Sequence, residues 1–323
     1  MKRSKDTQST QCATKKKKID TCETTTPQET STTKPFSTEF NHVHTIGGKK
    51  SGKANTQFNF SMGVVIAHGC NVFLVRDYNN NRIQVFDLTS REFKASIKPP
   101  SRMPGDMCIE TCYDGKNGEA LLFSCWTDKC IYKYDLKQLI ETCSKKKPSG
   151  LIWKSQPLSN PMNIVLMKEG EENMIYVNDF DTDTIEVLKA STGKVVQSIS
   201  LGLKISCLCA DVAEGNLWIA EQTNYEMHLL KKGTDGKWAI SQTFSKKIDT
   251  SSHQGICFDA ISQHLIVTLA GVGSVIEVYN KDGILLKGFS DTEDPYDSLT
   301  GLCINELTGE LYVCDTNRIL IYN

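Results

Sequence analysis

The chain has 323 residues, 39% of them apolar, and 37 Lys/Arg against 38 Asp/Glu for a net charge of −1. This composition supports a substantial buried core and excludes a wholly disordered chain. No run of about 18 apolar residues occurs, and the first thirty residues are polar and Lys-rich, so neither a membrane-spanning helix nor a secretory leader is expected.

Residues 1–39 hold eight Lys/Arg against five Asp/Glu, and the remainder holds 29 against 33. This segment is dominated by Thr, Ser, Gln and Lys. It is expected to be a disordered tail, because it cannot bury enough apolar surface to offset the entropy of ordering. Lys2-Arg3 and the run Lys15, Lys16, Lys17 and Lys18 are separated by Ser4 to Thr14, which resembles a bipartite nuclear-import signal. A solvating basic tail is the plainer alternative. Thirteen cysteines, an odd number without tight paired spacing, read as reduced thiols of a cytoplasmic or nuclear protein.

From residue 40 a repeating unit takes over. His42 to Ile46, followed by Gly47-Gly48, reads as an outer strand and its exit turn. GVVIA from Gly63 is a short inner strand, and VFLVRDYNNNRIQVF from Val72 to Phe86 is an antiparallel hairpin: an apolar run, a polar turn and a second run. The second copy has DMCIE at Asp106 and a hairpin around Cys125. The third has NIVLM at Asn163 and MIYVNDFDTDTIEVL from Met174 to Leu188. The fourth has CLCAD at Cys207 and Glu221 to Met227, and the fifth has GICFD at Gly255 and Ala270 to Ile276. The sixth has GLCIN at Gly301 and ELYVCDTNRILIY from Glu310 to Tyr322.

The equivalent positions 77, 125, 179, 221, 270 and 315 lie 42 to 54 residues apart, enough for four short strands, and helical periodicity is nearly absent. The expected fold is therefore all-β: a six-bladed β-propeller of four-stranded antiparallel blades over residues 40–323. The last copy lacks an outer strand. His42 to Ile46 should supply it by pairing with Arg318 to Tyr322, which closes the ring and removes a sheet edge.

The segments TIGGKKSGKANTQFNFSMGVVI and VFLVRDYNNNRIQVFDL together resemble one NHL repeat, and the resemblance extends over about 280 residues. It is fullest in blades one, three and six. It departs in blades two and five, where Cys125 and Ala270 replace the hairpin Asp. The resemblance implies a non-enzymatic protein-interaction platform that recruits substrates for ubiquitin ligases. Cys12 and Cys22 cannot supply the ligands of a RING, so any ligase role would run through a partner.

The resemblance also implies binding on the face made by hairpin turns and inter-blade loops. The candidates there are Asp77, Tyr78, Arg82, Phe180, Asp181, Asp183, Tyr225, Glu226, Asp294 and Tyr296. Their acidic character points to a basic protein partner, bound by a monomeric propeller without a membrane role. Related propellers bind single-stranded RNA. Here Arg82, Lys129, Lys49, Lys50, Lys53, Lys246 and Lys247 are set against many Asp and Glu, so RNA ranks third.

The second-ranked reading is a metal-dependent hydrolase or lyase in the central channel. Of the six histidines only His253 sits just ahead of an inner strand, so register brings no three together, and no catalytic set or cofactor is expected. Asp179, Asp181 and Asp183 resemble the opening of a calcium loop, but Thr184 and Ala190 stand where Gly and Glu are needed. Cys108, Cys209, Cys257 and Cys303 share a register on four inner strands. They read as small packing residues, with a thiol metal site as the alternative.

Overall fold

Runs of apolar residues broken by Asn, Asp and Gly turns form hairpins, and hairpins with two apolar faces must be covered on both sides. A computed structural model describes residues 33–101, 105–145, 148–245, 252–271 and 273–323. The import-like Lys2, Arg3, Lys15, Lys16, Lys17 and Lys18 lie outside these residues, as do Lys246 and Lys247.

The strand β1 (His42–Gly47) precedes blade one, which is β2 (Ser61–Ala67), β3 (Val72–Asp77), β4 (Arg82–Asp87) and β5 (Phe93–Ile97). Blade two is β6 (Met107–Thr111), β7 (Glu119–Cys125) and β8 (Cys130–Asp135), then, after the helix α1 (Leu136–Thr142), β9 (Leu151–Lys154). Blade three is β10 (Pro161–Glu169), β11 (Glu172–Asp179), β12 (Thr184–Lys189) and β13 (Val195–Ser200). Blade four is β14 (Ile205–Asp211), β15 (Asn216–Glu221), β16 (Glu226–Lys232) and β17 (Trp238–Ser245). Blade five is β18 (Ser252–Asp259), β19 (His264–Ala270), β20 (Val275–Asn280) and β21 (Leu285–Phe289). Blade six is β22 (Leu299–Asn305), β23 (Glu310–Asp315) and β24 (Arg318–Tyr322), with β1 as its outermost strand. The chain is thus a six-bladed β-propeller of four-stranded antiparallel sheets.

The core is divided among the blade interfaces. Leu74, Val85, Leu121 and Phe123 pack blade one on blade two. Tyr176, Val187, Leu217 and Ile219 do the same for blades three and four. Phe73, Val75, Tyr312 and Ile321 close blade six on blade one. Because each blade is covered on both faces, second strands are buried on both sides: every residue of β3 and of β7 is buried. The helix α1 was not anticipated in blade two. Asp135 caps it by accepting from Gln138 N–H at 2.7 Å, and Leu136 and Leu139 bury its apolar side.

Ring closure follows the expected register, with Thr45 opposite Leu320 and Ile46 opposite Ile319. Gly47 ends the strand at φ +91°, and a Cβ there would lie 2.5 Å from Asn317 O, so no side chain fits. The N-terminal boundary is earlier than residue 40. Thr33–Asn323 forms one compact unit, in which Phe36 is 2% exposed. Phe36 N–H donates to Asp259 Oδ2 at 2.9 Å, and Phe40 stacks on Phe289 at 4.4 Å. Residues 33–39 are therefore part of the propeller and not of a tail.

The innermost strands crowd one another. A Cβ on Gly301 would lie 2.6 Å from Met62 O and 2.8 Å from Gly63 Cα, while Thr300 Oγ1 donates to Ser61 O at 2.8 Å across the same seam. Gly301→Ala is expected to lower the thermal midpoint measurably, at a cost of about 1–3 kcal/mol. Gly48→Ala, where nothing lies within 4 Å, should leave it unchanged in the same circular-dichroism melt.

Candidate functional site

The hairpin Asp of blades one, three and six sits at the end of the second strand, before the turn. Asp77 Oδ1 accepts from Asn59 N–H at 2.8 Å, Asp179 from Ser159 and Asn160 N–H at 2.7 and 2.6 Å, and Asp315 Oδ1 from Asp297 and Ser298 N–H at 2.9 Å. Each carboxylate clasps the loop that leads into its own blade. Hairpin turns and inter-blade loops therefore share one face, and the repeating Asp braces it.

That bracing corrects part of the expected partner-binding set. Asp77 is fully buried and cannot meet a partner. Arg82 donates from Nε to Asp77 Oδ2 at 2.7 Å and from its terminal nitrogens to the carbonyls of Lys53, Ala54 and Gln57. Its guanidinium is consumed in pinning that loop. Asp294 pairs with Lys49 at 2.7 Å and with Arg318, and these two cations hold its carboxyl below the usual range. Tyr296 Oη lies 3.0 Å from Tyr322 Oη, tying the loop before blade six to β24.

Asp183 and Tyr225 occupy the left-handed turn position, at φ +54° and +56°, equivalent to Asn81 at +51° and Lys129 at +53°. Asp181 is exposed and accepts from Asn160 Nδ2 at 2.9 Å. The calcium-like series thus splits into a brace, a surface group and a turn residue. Glu226 opens β16, half-buried beside His228.

The residue after each hairpin position is aromatic in three successive blades: Tyr78, Trp126 and Phe180. Trp126 is 46% exposed and escaped the sequence analysis, because Cys125 had displaced the Asp that marks the register. Tyr78 meets Phe60 edge-on at 6.4 Å and has Arg76 Cζ 5.8 Å from its ring. Phe180 has Lys204 Nζ at 6.0 Å.

The inner strands start at this face and line an axial cavity of about 690 Å³, whose wall includes Met62, Asp106, Asn163, Ser206, Gln254 and Phe180. Arg76 also borders it, buried, with Nε lacking a hydrogen-bond partner. Burial lowers its pKa to about 10, against the attraction of Asp106. Burial raises that of Asp106, against Arg76 and a 2.8 Å hydrogen bond from Met107 N–H. Of the three aromatics Phe180 lines the cavity, whose wall also holds a desolvated cation, Arg76, and the Asp106 carboxyl.

Three of the four register-matched thiols, Cys108, Cys209 and Cys303, border the cavity, whereas Cys257 packs between blades five and six. Burial pushes all four thiols far above their ordinary range, so they are protonated at neutral pH. Among the described residues the one group of three metal-ligating side chains whose donor atoms all lie within 4.8 Å is Glu221, Glu226 and His228, in the blade-four hairpin. His253 borders the cavity, and no described helix is long and apolar enough to cross a membrane.

No protein-family model matches the chain, and no curated protein is similar to it. Solved structures share its architecture. The hydrazine synthase of Kuenenia stuttgartiensis is similar with a TM-score of 0.57 and 10% identity, over 83% of this chain and 77% of that one. The Cps50 (Swd1) β-propeller domain of Myceliophteria thermophila is similar with a TM-score of 0.58 and 10% identity, over 86% of this chain and 99% of that one. At such identity both likenesses establish the β-propeller fold alone.

Proposed function

We propose that this propeller is a non-enzymatic platform that captures a partner protein on its hairpin-turn face, at the mouth beside blades one to three. The observation that carries this reading is the recurrence of Tyr78, Trp126 and Phe180 at one repeat position of three successive blades on the hairpin-turn face, with Phe180 lining the axial cavity. Trp126 is exposed and Tyr78 and Phe180 are partly so, and aromatics presented on a rigid frame are among the side chains that dominate protein recognition. The partner would insert an apolar side chain at these aromatics and place basic residues against exposed Asp181, Glu293 and Asp297. The NHL-like hairpins support the same reading, with substrate recruitment for a ligase as its most specific form.

Trp126→Ala combined with Phe180→Ala should weaken capture of the partner roughly 30-fold or more, as loss of a hot spot does, while the melting temperature stays the same. Unchanged capture by the double variant, in quantitative pull-downs against wild type, would reject these aromatics as the contact. A second reading, chemistry or small-molecule binding in the channel, is favoured by two buried groups of opposite charge on its wall, Arg76 and Asp106, each shifted by burial and each countering the other's shift. A stoichiometric small molecule released from the native protein, seen by mass spectrometry, would favour it over the platform.

A further inference from the structure

Glu221 ends β15 and Glu226 opens β16. The last paired rung of that hairpin is Ala220 opposite Met227, so the two carboxylates face one another one step beyond it. Like charges directly opposite in an antiparallel pair repel. Glu221 is only 3% exposed, and its Oε2 has no hydrogen-bond partner among the described residues.

His228 lies two residues along from Glu226, on the same side of the strand. It is 3% exposed, its Nδ1 is 2.9 Å from Thr243 Oγ1 on β17, and its Nε2 lacks a hydrogen-bond partner while lying 3.8 Å from Glu226 Oε2. One donor atom from each of the three residues lies within 4.8 Å of the other two. A buried carboxylate oxygen and a buried imidazole nitrogen left without partners cost free energy, and a cation between them removes both deficits at once.

We propose that Glu221, Glu226 and His228 bind one divalent transition-metal ion of the zinc type. The imidazole ligand favours such an ion over calcium, which takes six to eight oxygens. Bonds of about 2.0–2.2 Å place tetrahedral ligands roughly 3.3 Å apart, so side-chain rotations on binding must draw in the 3.8 Å between His228 and Glu226 and the remaining separations, all within 4.8 Å. Thr243 plays the part of the outer hydrogen-bond partner that fixes a ligating histidine's ring. Glu226 is half-exposed, so the fourth position opens towards solvent. Bound there, the ion would clip β15 to β16 and set the turn Gln222–Tyr225 on the hairpin face.

The test uses the full chain stripped by chelator and titrated with zinc, then with cobalt(II) as a spectroscopic probe. The expected result is one equivalent of zinc, a melting temperature raised by a few degrees, and cobalt bands of a nitrogen-oxygen site without thiolate charge transfer. His228→Gln and Glu221→Gln should each weaken binding at least ten-fold and abolish the thermal shift. Thiolate charge transfer in the cobalt protein, equal binding by folded variants, or no binding by wild type would each overturn the proposal. Should either variant misfold, the cobalt spectrum of the wild-type protein still separates the carboxylate-imidazole site from the cysteines.

Discussion

A chain beginning at Lys49 is expected to unfold far below one beginning at Thr33. The shorter chain loses β1, whose backbone pairs with β24 from Tyr322 to Arg318, together with buried Ile46. β24 then becomes an open edge, and its unpaired backbone groups invite association with other chains. Phe36 and Phe40 are lost as well, and removing one buried Phe side chain costs about 3–5 kcal/mol. A chain beginning at Asn41 keeps β1 but lacks both Phe side chains, so its midpoint should fall between the other two. Urea and thermal unfolding of the three chains check this order. Equal midpoints for chains beginning at Thr33 and Asn41 would show that residues 33–40 contribute nothing to the propeller.

The second large effect is expected at Asp77. Asp77→Ala removes the acceptor for Asn59 N–H, Asn80 Nδ2 and Arg82 Nε, and leaves a guanidinium that is largely buried without its counter-charge. Breaking such a pair from one side costs about 3–5 kcal/mol. Asp181→Ala, at an exposed carboxylate in the corresponding turn of blade three, should change stability by no more than about 0.5 kcal/mol. Asp77→Asn retains an acceptor for Asn59 N–H but not the charge opposite Arg82, and should fall between them. If Asp77→Ala unfolded with the wild-type midpoint, the bracing of the hairpin face would be wrong.

The blade architecture was legible because the hairpins of blades one to five repeat a six-residue offset, as from Asp77 to Ile83 and from Asp179 to Ile185, because the sixth keeps Asp315 with a turn two residues shorter before Ile319, and because an inner strand precedes every copy. The closing strand was legible from one missing outer strand and one surplus strand at the opposite end. Phe36 was missed because a single aromatic in a polar segment carries no periodicity. The helix α1 was missed because its seven residues hold only two core-facing leucines.

At the candidate site, Asp77 and Arg82 look in sequence like ordinary turn residues. Their burial depends on loop 53–59 folding back over them, which no local pattern encodes. Trp126 was hidden by the substitution at Cys125, although its offset matched Tyr78 and Phe180. The grouping of Glu221, Glu226 and His228 leaves no mark in the register between blades, because these side chains converge within one hairpin.

The most direct test of the recognition face places a photoreactive amino acid at Trp126 in one protein and at Ile261, an exposed side chain in a turn of the opposite face, in another. Irradiation in cell extract should give protein adducts from position 126, abolished by Phe180→Ala, and few or none from position 261. Adducts from position 261 alone, or nucleic-acid adducts at position 126, would contradict a protein-binding platform on the hairpin-turn face.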